Sequence, residues 1–158
     1  MKKKIIQRKN LKLLEYNYSN IGCYFITICV QNRKNILSKI VKTNNDVKLI
    51  LFKYGKIVKK YLEEINEFYK DINIINYVIM PNHIHFICEI INNNNSNTNE
   101  IIPFIVSTLK RFTNKACKEK IWQRNYYDHI IRNEKEYLKV LEYIENNPYK
   151  WHDDIYYN

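Results

Sequence analysis

Two histidines separated by one residue, His83-Ile84-His85, open a run of apolar and β-branched residues that reads as a strand. Alternate strand residues project to one side, so both imidazoles face the same way while Ile84 and Phe86 face the other. Two convergent imidazoles make half of a site for a divalent cation. The same spacing also occurs in surface histidines and in hydrogen-bonded core histidines, so the pair alone leaves both readings open. Near the C-terminus, Tyr143 and Asn147 stand four residues apart in a helical pattern and can face one point. A phenol with a pKa near about 10 attacks poorly until its target is polarised, which is what a metal ion does to a phosphate. Asn147 offers a carboxamide oxygen to such a cation. The chain has fourteen tyrosines, and packing alone accounts for most residues of that kind.

The elements that must position these groups follow from periodicity. Cys23-Tyr-Phe-Ile-Thr-Ile-Cys-Val reads as a central strand, residues 31–46 as mostly polar loop, and Val47 to Ile50 as a short strand. Ile57, Tyr61, Leu62, Ile65 and Phe68 recur at helical spacing over roughly 52–69. Ile72 to Met80 and His83 to Ile91, parted by Pro81-Asn82, form an antiparallel hairpin. After the polar, asparagine-rich loop 92–99, a helix is expected from about Pro103, with Ile101, Ile105, Leu109, Phe112 and Ala116 on its apolar face. Tyr126 to Arg132 reads as a last strand. Asn133 with Glu136 three residues on gives a capping box, and Pro148 ends the helix near Asn147. Tyr137, Val140, Leu141 and Ile144 form that helix's core stripe, with Tyr143 about 110° from its middle. Strands and helices mixed around a hairpin predict a two-layer α+β domain with a largely antiparallel sheet.

The chain of 158 residues fits one domain, preceded by a basic arm over residues 1–20. Twenty-six Lys and Arg against 16 Asp and Glu give a net charge of +10, which favours a polyanionic partner. Only Ile5-Ile6 follow the basic start, too little for a signal peptide, and no run approaches a membrane span. Cys23, Cys29, Cys88 and Cys117 have no paired spacing for structural zinc. Cys23, Cys29 and Cys88 therefore read as buried reduced thiols of a cytoplasmic protein, and Mg or Mn suits the remaining oxygen-rich ligands.

Four blocks occur in order: Gly22-Cys-Tyr-Phe-Ile-Thr-Ile-Cys, Val78-Ile-Met-Pro-Asn-His-Ile-His, Trp122-Gln-Arg-Asn-Tyr-Tyr-Asp-His-Ile-Ile-Arg and Tyr143-Ile-Glu-Asn-Asn-Pro. Their succession resembles the REP-associated tyrosine transposases, relatives of the single-tyrosine insertion-sequence transposases within the HUH endonuclease superfamily. The resemblance implies a ferredoxin-like fold with the His-hydrophobic-His strand at its centre. It implies that His83 and His85 bind the metal with Asn147. It also implies that Tyr143 attacks the scissile phosphate, leaving a 5′-phosphotyrosine and a free 3′-hydroxyl. Relatives act on hairpins in single-stranded DNA, and as monomers or homodimers.

For the nucleic acid itself, Arg111, Lys115 and Lys118 form a basic helical stripe, and Arg124 stands near Tyr126 and Tyr127. His129 is expected to make a structural hydrogen bond; Trp122, Trp151 and His152 have no assigned role. Two rivals remain beside the nicking-joining enzyme: a nucleic-acid-binding protein without cleavage, and a metal-dependent hydrolase without a tyrosine intermediate.

Overall fold

The computed structural model describes residues 22–92 and 98–158, without the side chains of 98–100. The expected basic arm and most of the polar loop lie outside the described residues. Strands β1 (Cys23–Cys29), β4 (Ile72–Ile79), β5 (His83–Ile90) and β6 (Tyr127–Ile131) form one antiparallel sheet in the order β4-β5-β1-β6. Helix α1 (Lys53–Phe68) joins β1 to β4, and α2 (Thr98–Cys117) joins β5 to β6. This βαββαβ succession is the α+β sandwich expected from the sequence. A hairpin of β2 (Ser38–Lys42) and β3 (Val47–Leu51) is inserted before α1 as a separate two-stranded sheet.

The pleat divides the core in two. Ile26, Ile28, Ile84, Phe86, Cys88 and Ile90 point to the face covered by α1 and α2. Cys23, Val78, Ile87 and Ile131 point to the opposite face, where Tyr137, Leu141 and Ile144 of α3 (Glu134–Asn146) pack. The two layers thus gain a third at α3, and β5, covered on both sides, is buried at every residue. His83, His85 and Thr27 share the α3 side, with Thr27 directly opposite His85 in the β1–β5 register. Cys23, Cys88 and Cys117 are buried and Cys29 is half-buried, and none of the four forms a disulfide among the described residues.

Three expectations need correction. Residues 31–46 hold a strand within the expected loop: Ser38–Lys42 pairs with β3 around a tight turn closed by Thr43 N donating to Asp46 O at 2.9 Å. Helix α2 starts at Thr98, not near Pro103, so the proline sits inside it and leaves the carbonyl four residues earlier without a donor. Its buried face runs through Ile102, Ile105, Val106, Leu109, Thr113 and Cys117, while Phe112 and Ala116 are exposed. A polar residue holds the core position because Thr113 Oγ1 donates to Leu109 O at 2.7 Å and accepts from Trp122 Nε1 at 2.7 Å. Phe112 instead stacks on Tyr61 of α1.

The α3 cap forms as expected: Asn133 Oδ1 accepts from Glu136 N at 2.9 Å. The Glu136 carboxylate reaches Arg132 N at 2.7 Å and also contacts His129 of β6, so His129 ties strand to helix. No helix among the described residues is long and apolar enough to cross a membrane.

Candidate active site

The β4–β5 turn brings the first two ligand candidates into place. Met80 N donates to His83 O at 2.9 Å, closing a hairpin with Pro81-Asn82 at its tip. Asn82 is buried, and its Nδ2 donates to the carbonyls of Tyr156 (2.7 Å) and Arg33 (3.4 Å). That fixes the orientation of the amide, so Oδ1 is the atom that accepts from His83 Nδ1 at 2.8 Å. The Nε2 of His83 is thereby aimed away from the turn. On His85, Nδ1 shares a 2.7 Å hydrogen bond with Thr27 Oγ1, and Nε2 lies 3.0 Å from His83 Nε2. Burial pushes the His83 imidazole down to about 3 and His85 well below its usual value, so both are neutral, ligand-competent rings near pH 7.

Helix α3 brings the tyrosine. Tyr143 is 42 % exposed on the helix flank, with its hydroxyl 3.5 Å from His85 Nε2. Phe25 stacks on His85 and meets Tyr143 edge-on, so β1 fixes the relation of the two rings. Burial and the Asp154 carboxylate raise the phenol's pKa, against an opposing hydrogen bond from Asn147. The protein alone therefore keeps Tyr143 protonated.

Asn147, one turn on, is buried beside His83, Tyr143 and Asp154, and its Oδ1 has no hydrogen-bond partner. Its backbone is right-handed (φ −54°, ψ −45°), so ending the helix does not call for asparagine there.

The sequence patterns missed one member. After Pro148 the chain turns through a short 3-10 segment, Trp151–Asp153, and delivers Asp154 to the histidines. Asp154 Oδ1 accepts from Tyr156 N at 2.9 Å, while the buried Oδ2 has no hydrogen-bond partner and lies 3.8 Å from His83 Nε2. Burial raises its pKa, against the hydrogen bond from Tyr156 N, which lowers it. Ligand atoms of His83, His85 and Asp154 all lie within 4.8 Å of one another. The two imidazole nitrogens and the carboxylate oxygen fit a divalent cation in donor type and spacing, and the orphaned amide oxygen of Asn147 adds a donor of suitable type. Tyr156 packs its ring on His83 at 4.4 Å and seals that side.

A cavity of about 430 Å³ opens onto Tyr143, Asn147 and Asp154, flanked by Lys139 and Lys150. Of the expected nucleic-acid contacts, Arg124 lines a separate basic cleft; Arg111, Lys115 and Lys118 are exposed outside both cavities.

Comparison with known proteins identifies the family. The profile of the IS200-like transposases matches residues 19–147. The chain belongs to that family. Its role is accordingly DNA cleavage and transposition. An uncharacterised protein of Haemophilus influenzae is 37% identical, covering 97% of this chain and 94% of that protein. The REP-associated tyrosine transposase of Escherichia coli K12 is 27% identical over 84% of this chain and 70% of its own length. A solved REP-associated tyrosine transposase, bound to a REP hairpin, superposes with a TM-score of 0.61 at 21% identity, covering 82% of this chain and 68% of that one. That superposition places the present fold with the REP transposase fold.

Proposed function

We propose that this family member is a metal-dependent single-strand DNA endonuclease and strand transferase with Tyr143 as its nucleophile. The observation that carries the reading is the Tyr143 hydroxyl standing 3.5 Å from His85 Nε2, beside a buried cluster of ligand atoms in which Asn147 Oδ1 and Asp154 Oδ2 have no hydrogen-bond partner. His83, His85 and Asn147, joined by Asp154, would hold Mg or Mn. Bound there, the cation supplies Lewis-acid polarisation of a phosphate.

The chain's own residues do the rest. Asn82 and Thr27 hold the two imidazoles in place. Phe25 and α3 aim the phenol into the open cavity. Tyr143 Oη attacks the scissile phosphorus and releases its proton, and a P–O Tyr bond forms as the P–O3′ bond breaks. The leaving oxygen takes a proton and departs as a 3′-hydroxyl, leaving a 5′-phosphotyrosine. Attack by a 3′-hydroxyl on that linkage rejoins DNA and regenerates the phenol, with no external energy source. The hairpin bound to the solved relative supports single-stranded hairpin DNA as substrate. Arg111, Lys115, Lys118 and Arg124 are the proposed phosphate contacts.

The test is a denaturing gel of end-labelled hairpin DNA with Mn or Mg. Wild type should give a covalent protein–DNA adduct, and Tyr143→Phe should bind DNA yet give no adduct and no cleavage. An adduct from the mutant would transfer the role to another tyrosine. Cleavage without adduct would mean a hydrolase, and binding without cleavage a non-catalytic protein.

A further inference from the structure

Helix α1 carries its charges in an order that works against the helix itself. Lys53, Lys56, Lys59 and Lys60 all precede Tyr61, and Glu63, Glu64 and Glu67 all follow it. The first turn holds no acid and the last turn no base. A helix dipole favours the reverse, with carboxylates at the start and cations at the end. Helix α3 obeys that rule, with Glu134 and Glu136 in its first turn. Pairs within α1 recover little: Lys59–Glu63 at 3.9 Å and Lys60–Glu64 at 3.7 Å are surface pairs in the weaker, lysine-first order. Glu63 also accepts from the Tyr77 hydroxyl of β4 at 2.9 Å and so belongs to the fold. For the rest, the segregation gains nothing for α1 alone and points to a neighbour outside it.

An apolar groove of about 510 Å³ runs beside the same helix. Tyr61, Ile65 and Phe68 of α1 form one wall, and Thr108, Leu109 and Phe112 of α2 the other. Tyr61 stacks on Phe112 at 5.8 Å, and Tyr69 meets Phe104 edge-on at 5.7 Å. The two helices therefore run antiparallel, with an aromatic pair towards each end of the groove. Phe68 is 74 % exposed and Phe104 50 %. The only charged residue lining the groove is Glu64, an acid. Exposed rings around an apolar groove with a lone carboxylate suit a protein surface and repel a phosphate backbone.

We propose that the groove and the outer face of α1 bind a second copy of this chain, with α1 antiparallel to the same helix of that copy across a twofold axis. Antiparallel pairing sets the Lys53 and Lys56 end of one helix beside the Glu64 and Glu67 end of the other, and the twofold axis does so twice. The charge order that fails α1 alone is complementary to its own reverse. Ile57, Tyr61 and Phe68 share one edge of α1 at helical spacing, so each copy lays that edge along the groove of the other. Helices α1 and α2 cover one face of the sheet and α3 the other, so both tyrosine sites stay outward. Tyr143 meets His85 of its own chain, and the dimer carries two sites, each formed by one chain.

The test needs neither DNA nor metal, so it stands whatever becomes of the tyrosine reading. Sedimentation velocity of the full chain over a concentration series should show a monomer–dimer equilibrium. Lys53→Glu with Lys56→Glu, or Glu64→Lys with Glu67→Lys, sets like charges against each other and should weaken self-association at least about tenfold. Phe68→Ser, at an exposed position, should weaken it as well. Mixing the two charge variants should give a heterodimer, and all four charge changes in one chain should restore the homodimer. Thermal melts check that each variant is folded. A monomeric wild type would give the groove to another occupant, residues 1–21 of the same chain or a different protein. A dimer indifferent to these changes would lie on another surface, and a loss repaired by neither mixing nor the fourfold swap would mean that the charges do not pair; each of these results overturns the proposal.

Discussion

The two Nε2 atoms of His83 and His85 stand 3.0 Å apart, and their second partners decide what can sit between them. Asn82 Oδ1 can only accept, so His83 carries its proton on Nδ1. Without a cation, His85 must then carry its proton on Nε2, and the Thr27 hydroxyl donates to Nδ1. To offer Nε2 to a cation, His85 would carry its proton on Nδ1, where the Thr27 hydroxyl would accept it. Thr27→Val keeps the shape and removes that acceptor, so Mn affinity by calorimetry should fall about 10- to 100-fold, the usual cost of losing such a supporting partner. An unchanged affinity would show that the hydroxyl does not steer the ring. Asn147 can be separated from Asp154 in the same assay. Asn147→Gly should raise the Mn concentration for half-maximal cleavage while Asn147→Asp keeps metal binding, and Asp154→Asn should weaken binding by removing the only charged ligand. Full activity of Asn147→Gly at low Mn would demote Asn147 to a helix stop and leave Asp154 as the third ligand.

Among the elements, α1 positions the site from a distance. A Cβ on Gly55 would stand 2.0 Å from the Leu37 carbonyl, a backbone atom that also accepts from Phe52 N. Leu37 N in turn donates to Pro81 O at 3.0 Å, and Ser38 Oγ to Ile79 O at 2.9 Å, so the segment under α1 braces the turn that carries Asn82 and His83. Gly55→Ala should therefore cost about 1–3 kcal/mol despite the better helix propensity of alanine, lowering Tm by several degrees in a thermal melt. A rise in Tm would mean that the close approach relaxes without strain. These local signals also decide what was legible beforehand. The β4–β5 hairpin, the α3 cap and the histidine face all rest on short-range patterns, and each formed as the residues required. Strand β2 did not announce itself, because Ile40 and Val41 sit among lysines and its pairing is supplied by β3. Asp154 was invisible for another reason: no periodicity links it to His83, and only the turn after Pro148 brings the two together.

At the scale of the whole molecule, the +10 charge predicts attraction to any polyanion, and the placement of cations gives the surfaces on which a DNA path can be tested. Arg33, Lys120 and Arg124 gather at the cleft beside the tyrosine cavity, and Lys139 and Lys150 flank that cavity itself. Arg111, Lys115 and Lys118 stand exposed outside both. Each phosphate neutralised on a single strand contributes about −0.7 to the slope of log affinity against log salt, so the slope counts engaged cations. If the α2 stripe lies on the DNA path, replacing all three of its residues with alanine should flatten the slope by roughly 2, three times the contribution of one phosphate. Single-turnover cleavage at saturating DNA should keep its rate, because none of the three reaches the reacting atoms. A slope unchanged in that variant would take the stripe off the path. A wild-type slope near zero would mean more: that the net charge serves solubility, and that affinity comes from base contacts alone.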